Sequence, residues 1–270
     1  MIVGIDIGGS TTDAVVLENG GLHVVTIEAN DPVAAAAGAL GKLIAEFGIS
    51  LEDIERVAAT GAGARVLADS LLGRPVIKVN EFTAIGVGGT SLAGMDQALV
   101  VSLGTGTAIV SVTPGKIQHF SGTGVGGGTL LGLAKHMLGV VTIERLEELA
   151  RKGDLRRVDL TVRDIAGGPI GDLPPGTTAA NFGKVGADAT PEDKALAIMN
   201  MIVESIGVLS LASARACGQE NIVLTGKLSR LFRFMQEAKR LDFPFGRRFV
   251  IPEHADYATA IGAARTARKE

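Results

Sequence analysis

Three short apolar blocks occupy residues 1–7, 13–17 and 22–27, separated by Gly8-Gly9-Ser10-Thr11-Thr12 and by Asn19-Gly20-Gly21. Blocks of this length bounded by Gly and Asn predict strand, turn, strand, turn, strand. Asp31-Pro32 then predicts a helix start, with Asp31 as cap and Pro32 first in the helix, running to Phe47 and stopping at Gly48. A strand is predicted over 56–60, a helix over 64–72, and a strand over 76–79 that delivers Asn80 and Glu81 to a helix beginning at Phe82.

The pattern restarts at Gln97. An apolar strand over 98–103 meets Gly104-Thr105-Gly106-Thr107, and 108–113 returns. A glycine-rich stretch, 122–128, leads into an apolar helix over 129–138, and a charged helix follows over 142–152. Residues 158–189 read as irregular. Thr190-Pro191-Glu192-Asp193 predicts a capped helix start with acids at its positive end. A strand over 221–225 ends in Gly226, and an Ala-rich helix closes the chain over 255–269. The β-β-β-α pattern at the start has an echo from Gln97, which implies an α/β protein with two similar halves around a cleft. The expected division is an N-terminal lobe over 1–95 and a C-terminal lobe over 96–270, with the last helix packing back on the first lobe.

Composition narrows the function. The chain has 270 residues, 46% of them apolar, enough for a substantial aliphatic core. A net charge of −3 gives no global attraction for nucleic acid or an anionic membrane, and neither is expected as a partner. The 37 glycines cluster in runs, as in loops that approach a ligand. Cys217 is the single cysteine, so no intrachain disulfide forms; a buried thiol and a reducing, cytoplasmic setting are expected. The N-terminus reads as a strand rather than a signal peptide. The apolar stretch 194–217 carries Asn200, Glu204 and Arg215 and reads as a buried helix rather than a membrane span. The scattered His23, His136 and His254 show no zinc spacing.

A phosphate chain needs backbone N–H donors at close range, and glycine-rich turns provide them. Gly8, Gly9, Ser10, Thr11 and Thr12 form one such turn, and Asp6 before it is placed to hold a Mg²⁺ that bridges phosphates. Gly104, Thr105, Gly106 and Thr107 repeat the design in the second half. Gly126, Gly127 and Gly128 open a helix, whose bare amides form an anion site.

These residues resemble the actin-like, ribonuclease H-like ATPase fold shared with sugar kinases, a duplicated fold with two lobes around a nucleotide cleft. More narrowly, the chain resembles the type II pantothenate kinases. The resemblance rests on GIDIGGS at 4–10, Asn80-Glu81-Phe82, LGTGT at 103–107, the glycine run 122–128 with Thr129, Gly153-Asp154, VDLTVRDI at 158–165 and TAANFG at 178–183. It implies an ATP-dependent phosphotransferase acting on the primary hydroxyl of pantothenate in coenzyme A biosynthesis. Mg²⁺ assists, Glu81 is the base, Thr105 and His119 face the substrate, and Gly226 lies beside adenosine. It also implies a homodimer and an acyl-CoA regulator.

Three positions depart from the family pattern. Asp13 stands where the family usually has Lys, which removes a phosphate-side cation. Its charge is expected to point to solvent or to a local cation, and strand alternation leaves it free to face away from the phosphates. His119 stands for an Arg that contacts the pantothenate carboxylate, and Ala108 for a Ser. Two alternatives therefore stand beside pantothenate: a same-fold kinase for another small hydroxy acid, and a catalytically weak nucleotide- or acyl-CoA-binding regulator. An activator of a radical dehydratase starts with a similar turn, but it needs cysteines for a shared iron–sulfur cluster.

Overall fold

The computed structural model describes residues 1–18, 21–28, 30–233, 236 and 248–268. The predicted turn at Asn19-Gly20 and the end of the last helix at Lys269 lie outside the described residues.

Two sheets of matching topology organise the chain. In the first, β1 (Ile2–Ile7), β2 (Thr12–Glu18) and β3 (Gly21–Ile27) form an antiparallel meander. Strands β4 (Arg56–Thr60) and β6 (Arg74–Lys78) extend it in parallel on the other side of β1. The second sheet repeats this. Strands β7 (Ala98–Leu103), β8 (Thr107–Thr113) and β9 (Lys116–Thr123) form the meander. Strands β12 (Asn221–Thr225) and β13 (Arg248–Val250) lie parallel to β7 on its far side. The orders β3-β2-β1-β4-β6 and β9-β8-β7-β12-β13 are therefore equivalent. The repeat extends to the loops. Gly61 after β4 has φ 85° and ψ 170°, and Gly226 after β12 has φ 84° and ψ 168°; each starts a short 3-10 turn. A Cβ at either glycine would lie 2.6 Å from a carbonyl oxygen, that of Ile7 or of Leu103, so both steric space and dihedral require glycine.

Helix boundaries follow their caps. Helix α1 (Pro32–Phe47) starts where the Asp31 carboxylate accepts from the Ala34 amide and ends at Gly48 in the left-handed region, φ 67°. It covers one face of the first sheet with Ala36, Ala39, Leu40 and Leu43 against Val3, Ile5 and Val16. On the second sheet, α3 (Gly127–Leu138), α4 (Ile143–Ala150) and α6 (Pro191–Ala216) cover the outer face. Helix α6 is long and apolar enough to cross a membrane. Here Ile198, Ile202 and Ile206 are buried against β7, β12 and α3 in the core, and Asn200 makes buried hydrogen bonds. Its reciprocal capping box at Thr190 and Asp193 sets its start.

The inner faces meet through two helices. Helix α2 (Glu81–Ala93) places Ile85 on β7, β8 and β12 of the second sheet. Helix α7 (Ala258–Ala267) lies on the first sheet, with Ala263 beside Ala58 and Ala260 beside Val15. The two helices touch backbone to backbone: a Cβ on Gly88 would lie 1.8 Å from the Ala258 carbonyl oxygen, and one on Gly262 1.9 Å from that of Ala84. Gly88→Ala should therefore destabilise the protein by about 2–4 kcal/mol, despite the better helix propensity of Ala. Gly41→Ala on α1, where a Cβ meets nothing within 4 Å, should instead be neutral or add up to about 1 kcal/mol. Urea unfolding midpoints of the two variants distinguish these outcomes.

Three predicted elements differ. No helix spans 64–72; a 3-10 turn (Ala62–Val66) is followed by β5 (Ser70–Leu71), hairpinned to β6. Leu72 (φ 48°) and Gly73 (φ 80°) make the two-residue turn with both dihedrals positive that closes such hairpins. The stretch 158–189 contains β10 (Leu160–Thr161), α5 (Val162–Ala166) and β11 (Thr178–Ala180). The glycine run begins inside β9, where Gly122 pairs with Ala108.

Candidate active site

Register places a polar row across the first sheet. Thr26, Asp13, Asp6 and Thr60 are successive neighbours across β3, β2, β1 and β4. Paired residues share a face, so Asp13 lies beside Asp6, on the side that carries α7. Of the two expected partners for the Asp13 charge, solvent or a local cation, solvent is corrected, since Asp13 is 6% exposed, and so is the expectation that it faces away from Asp6. Its carboxylate accepts from Lys227 Nζ at 2.7 Å and from Thr26 Oγ1 at 2.6 Å. A cation therefore does stand in this corner, supplied from the second half of the chain. The equivalent row in the second sheet is Thr225, Ser102, Ala108 and Gly122, which is uncharged.

Asp6 is the most perturbed acid of the row. Desolvation raises its pKa to about 7, aided by the negative charges of Asp13 and Glu81 and opposed by Lys227. Its neighbour Thr60 is fully buried, and its Oγ1 has no hydrogen-bond partner among the described residues. Asp13 is also raised by burial, with Lys227 the main opposing influence.

The two hairpin tips meet beside this row. Ser10 Oγ and Thr105 Oγ1 are 3.3 Å apart. Gly8 N–H donates to the Thr11 carbonyl at 3.0 Å, and Gly104 N–H to that of Gly106 at 3.0 Å, which tightens each turn. The amides of Gly9, Ser10, Thr105 and Gly106 have no acceptor among the described residues. Two hydroxyls assigned to the turns lie elsewhere. Thr12 is 2% exposed and pairs with Ile7, which puts it on the sheet face opposite Asp6. Thr107 is also buried, and its hydroxyl donates to the Val125 carbonyl at 2.8 Å.

The start of α3 also departs from expectation. The Gly127 and Gly128 amides are not bare; each donates at 2.9 Å to a second-hairpin carbonyl, of Gly104 and Thr105 respectively. A Cβ on Gly126 would lie 2.7 Å from Gly106 Cα. The run thus joins the helix to the hairpin through the Gly127 and Gly128 amides.

Phe82, next to Glu81 at the start of α2, meets His119 of β9. Asn80 caps α2, its Oδ1 accepting from the Phe82 and Thr83 amides at 3.0 and 3.1 Å, so Asn80 rather than Glu81 is the cap. Glu81 is the exposed first residue of the helix. The His119 ring stacks on Phe82 with centroids 4.2 Å apart. A bulge in β9 skips Phe120, so that Ser121 pairs with Ile109 and His119 with Val110. Bulges of this kind re-aim side chains beside a site.

The signature stretches 158–165 and 178–183 form a clasp outside the turns. The buried Asp159 carboxylate accepts from the Phe182 amide at 2.9 Å and from Asn200 Nδ2 at 3.0 Å. Arg233 donates to Asn200 Oδ1. Cys217 caps the end of α6, half-buried.

Comparison with known proteins places this geometry. The family model described as Fumble matches residues 93–264. The type II pantothenate kinase of Oceanobacillus iheyensis is 30% identical over 276 residues, covering 97% of each chain. This chain belongs to the type II pantothenate kinase family. Another family member, from Staphylococcus aureus strain USA300, is 31% identical over 187 residues, 66% of this chain and 70% of that protein. Among solved structures, the activator of the 2-hydroxyisocaproyl-CoA dehydratase from Clostridium difficile, with bound ADPNP, superposes at a TM-score of 0.69 and 17% identity, covering 99% of this chain and 97% of that one. A ROK family glucokinase from Streptomyces griseus, in complex with glucose and AMPPNP, gives 0.64 and 15%, covering 100% and 99%. At these identities the likeness concerns the fold, which is the actin-like ATPase fold shared with ROK sugar kinases.

Proposed function

We propose that this chain is an ATP-dependent kinase that phosphorylates the primary hydroxyl of pantothenate, a step of coenzyme A biosynthesis. The observation that carries this reading is the meeting of two hairpin tips with unpaired amides beside the acidic row and Glu81. The tips, at 8–11 and 104–106, hold the phosphates, between an N-terminal lobe (1–95) and a C-terminal lobe (96–270). Adenosine lies near Gly226. Glu81 accepts the proton of the attacking hydroxyl, and Thr105 and His119 contact the acceptor. No group of three His, Cys, Asp or Glu side chains among the described residues could hold a metal. In this reading Mg²⁺ enters with the nucleotide and retains its waters, with Asp6 as its acidic partner. The proposal extends to a homodimer regulated by acyl-CoA, as the family resemblance implies, and to the cytoplasmic setting expected from the single cysteine.

The test is ADP release from Mg-ATP with a panel of hydroxy acids. Turnover with pantothenate is expected. Turnover with another acid alone would replace the acceptor and keep the kinase, a reading favoured by Ala108 and by His119 in place of the family's Arg. ATP binding without turnover on any acid would favour a regulator. His119→Arg should lower the KM for pantothenate about tenfold with little change in kcat, because a guanidinium grips a carboxylate with two parallel bonds. An unchanged KM would remove His119 from the acceptor site.

A further inference from the structure

The Asp13–Lys227 pair is not required by the fold. Lys227 follows Gly226, and its counterpart in the equivalent loop of the first sheet, after Gly61, is Ala62. Lys227 is rooted at the base of the second hairpin, because Gly226 packs on the backbone of Leu103. Its ammonium crosses to the strand that leaves the first hairpin, reaching Asp13 Oδ1 at 2.7 Å and Thr26 Oγ1 at 3.0 Å. The ring of Tyr257 lies 5.5 Å from the same nitrogen. An ammonium has three donors. Two are taken here, and the side chain remains 37% exposed.

A simple strut between the sheets is a poor account of this pair. Burying Asp13 carries a desolvation penalty, and an apolar pair would join the sheets as well or better. The surroundings supply a better reason. Asp6, Asp13 and Glu81 would together repel a polyphosphate, and Lys227 is the cation opposing the charge at both Asp6 and Asp13. Resting on the kinase reading above, we propose that Lys227 is a phosphate-binding residue that meets the β- and γ-phosphates between the two hairpins, and that Asp13 is the positioning residue that holds its ammonium there. The cation that the family carries on β2 is thus supplied here from the opposite side of the cleft.

The experiment is calorimetric binding of Mg-ATP and of AMP to the full chain, to Lys227→Met and to Asp13→Asn/Lys227→Met. The double variant removes the Asp13 carboxylate that loss of Lys227 would leave unpaired, so it reports on the cation even where the single variant fails to fold. The expected result is a Kd for Mg-ATP raised about 10- to 100-fold in both variants, as for loss of a charge-assisted hydrogen bond, with AMP binding within twofold of wild type. A merely structural role would weaken both nucleotides together or neither, and either result overturns the inference while leaving the kinase reading intact. Failure of the wild type to bind Mg-ATP overturns both.

Discussion

Glu81→Gln should lower kcat for pantothenate phosphorylation by about a thousandfold and leave the Kd for Mg-ATP within twofold. Gln keeps the shape of the side chain and removes the proton acceptor. Positioned general bases contribute about 10²–10⁴ in rate. Two features make the expected effect large. Asn80 Oδ1 fixes the first turn of α2 through two amides, so Glu81 sits on a pinned backbone. Phe82 then stacks on His119, which ties that turn to the strand expected to hold the acceptor's carboxylate. Kinetics and calorimetry on the same preparation read the two quantities. A variant that retains more than a tenth of wild-type kcat would remove Glu81 as the base. A variant that also loses ATP affinity would instead place Glu81 at the nucleotide.

The parts of the fold that were legible in the sequence are those with local causes. Strands β4, β7 and β12 and helix α1 begin and end where Gly, Pro and capping residues place them. The β5–β6 hairpin was not legible, because its turn puts Leu72 in the left-handed region, which that residue type does not signal. The glycine turns were legible as paired hairpin tips, which do meet, but their outer hydroxyls were misplaced. Strands β2 and β8 begin one residue before the predicted strands, at Thr12 and Thr107, and a period of two turns the Thr12 side chain to the other face. The bare amides expected at Gly127 and Gly128 were misread for a related reason: their acceptors lie in a hairpin more than twenty residues earlier. Lys227 lies farthest from any local signal. Asp13 advertised a missing cation, but its partner is 214 residues away, and only the duplicated sheets bring the two together.

The same crowding of charge makes Asp6 a point where function opposes stability, and Asp6→Asn exposes the conflict. The folded protein raises this carboxyl from its ordinary 3.8 to about 7, mainly through burial. Between these values the native state binds the proton that the unfolded state releases. The stabilisation by protonated Asp6 is therefore complete below about pH 3.8 and is lost as pH rises to about 7. A gap of this size corresponds to about 4 kcal/mol. Asp6 keeps a partly open edge, where water relieves some of the penalty, so a gain on the order of 2–3 kcal/mol is expected for Asn above pH 7. The new amide also has an acceptor at hand, since the Oγ1 of Thr60, its cross-strand neighbour, is unpartnered among the described residues. Asp6→Asn should thus melt about 5 °C or more above wild type at pH 8, with the difference shrinking towards pH 5. It should also lose at least a hundredfold in kcat, because a neutral amide cannot balance a cation bridging the phosphates. Wild-type activity should climb with pH through about 7 as Asp6 ionises. Scanning calorimetry at pH 5 and pH 8 decides the matter: equal melting temperatures at pH 8 would mean that Asp6 is not held in the strained, desolvated state that its place in the polar row implies.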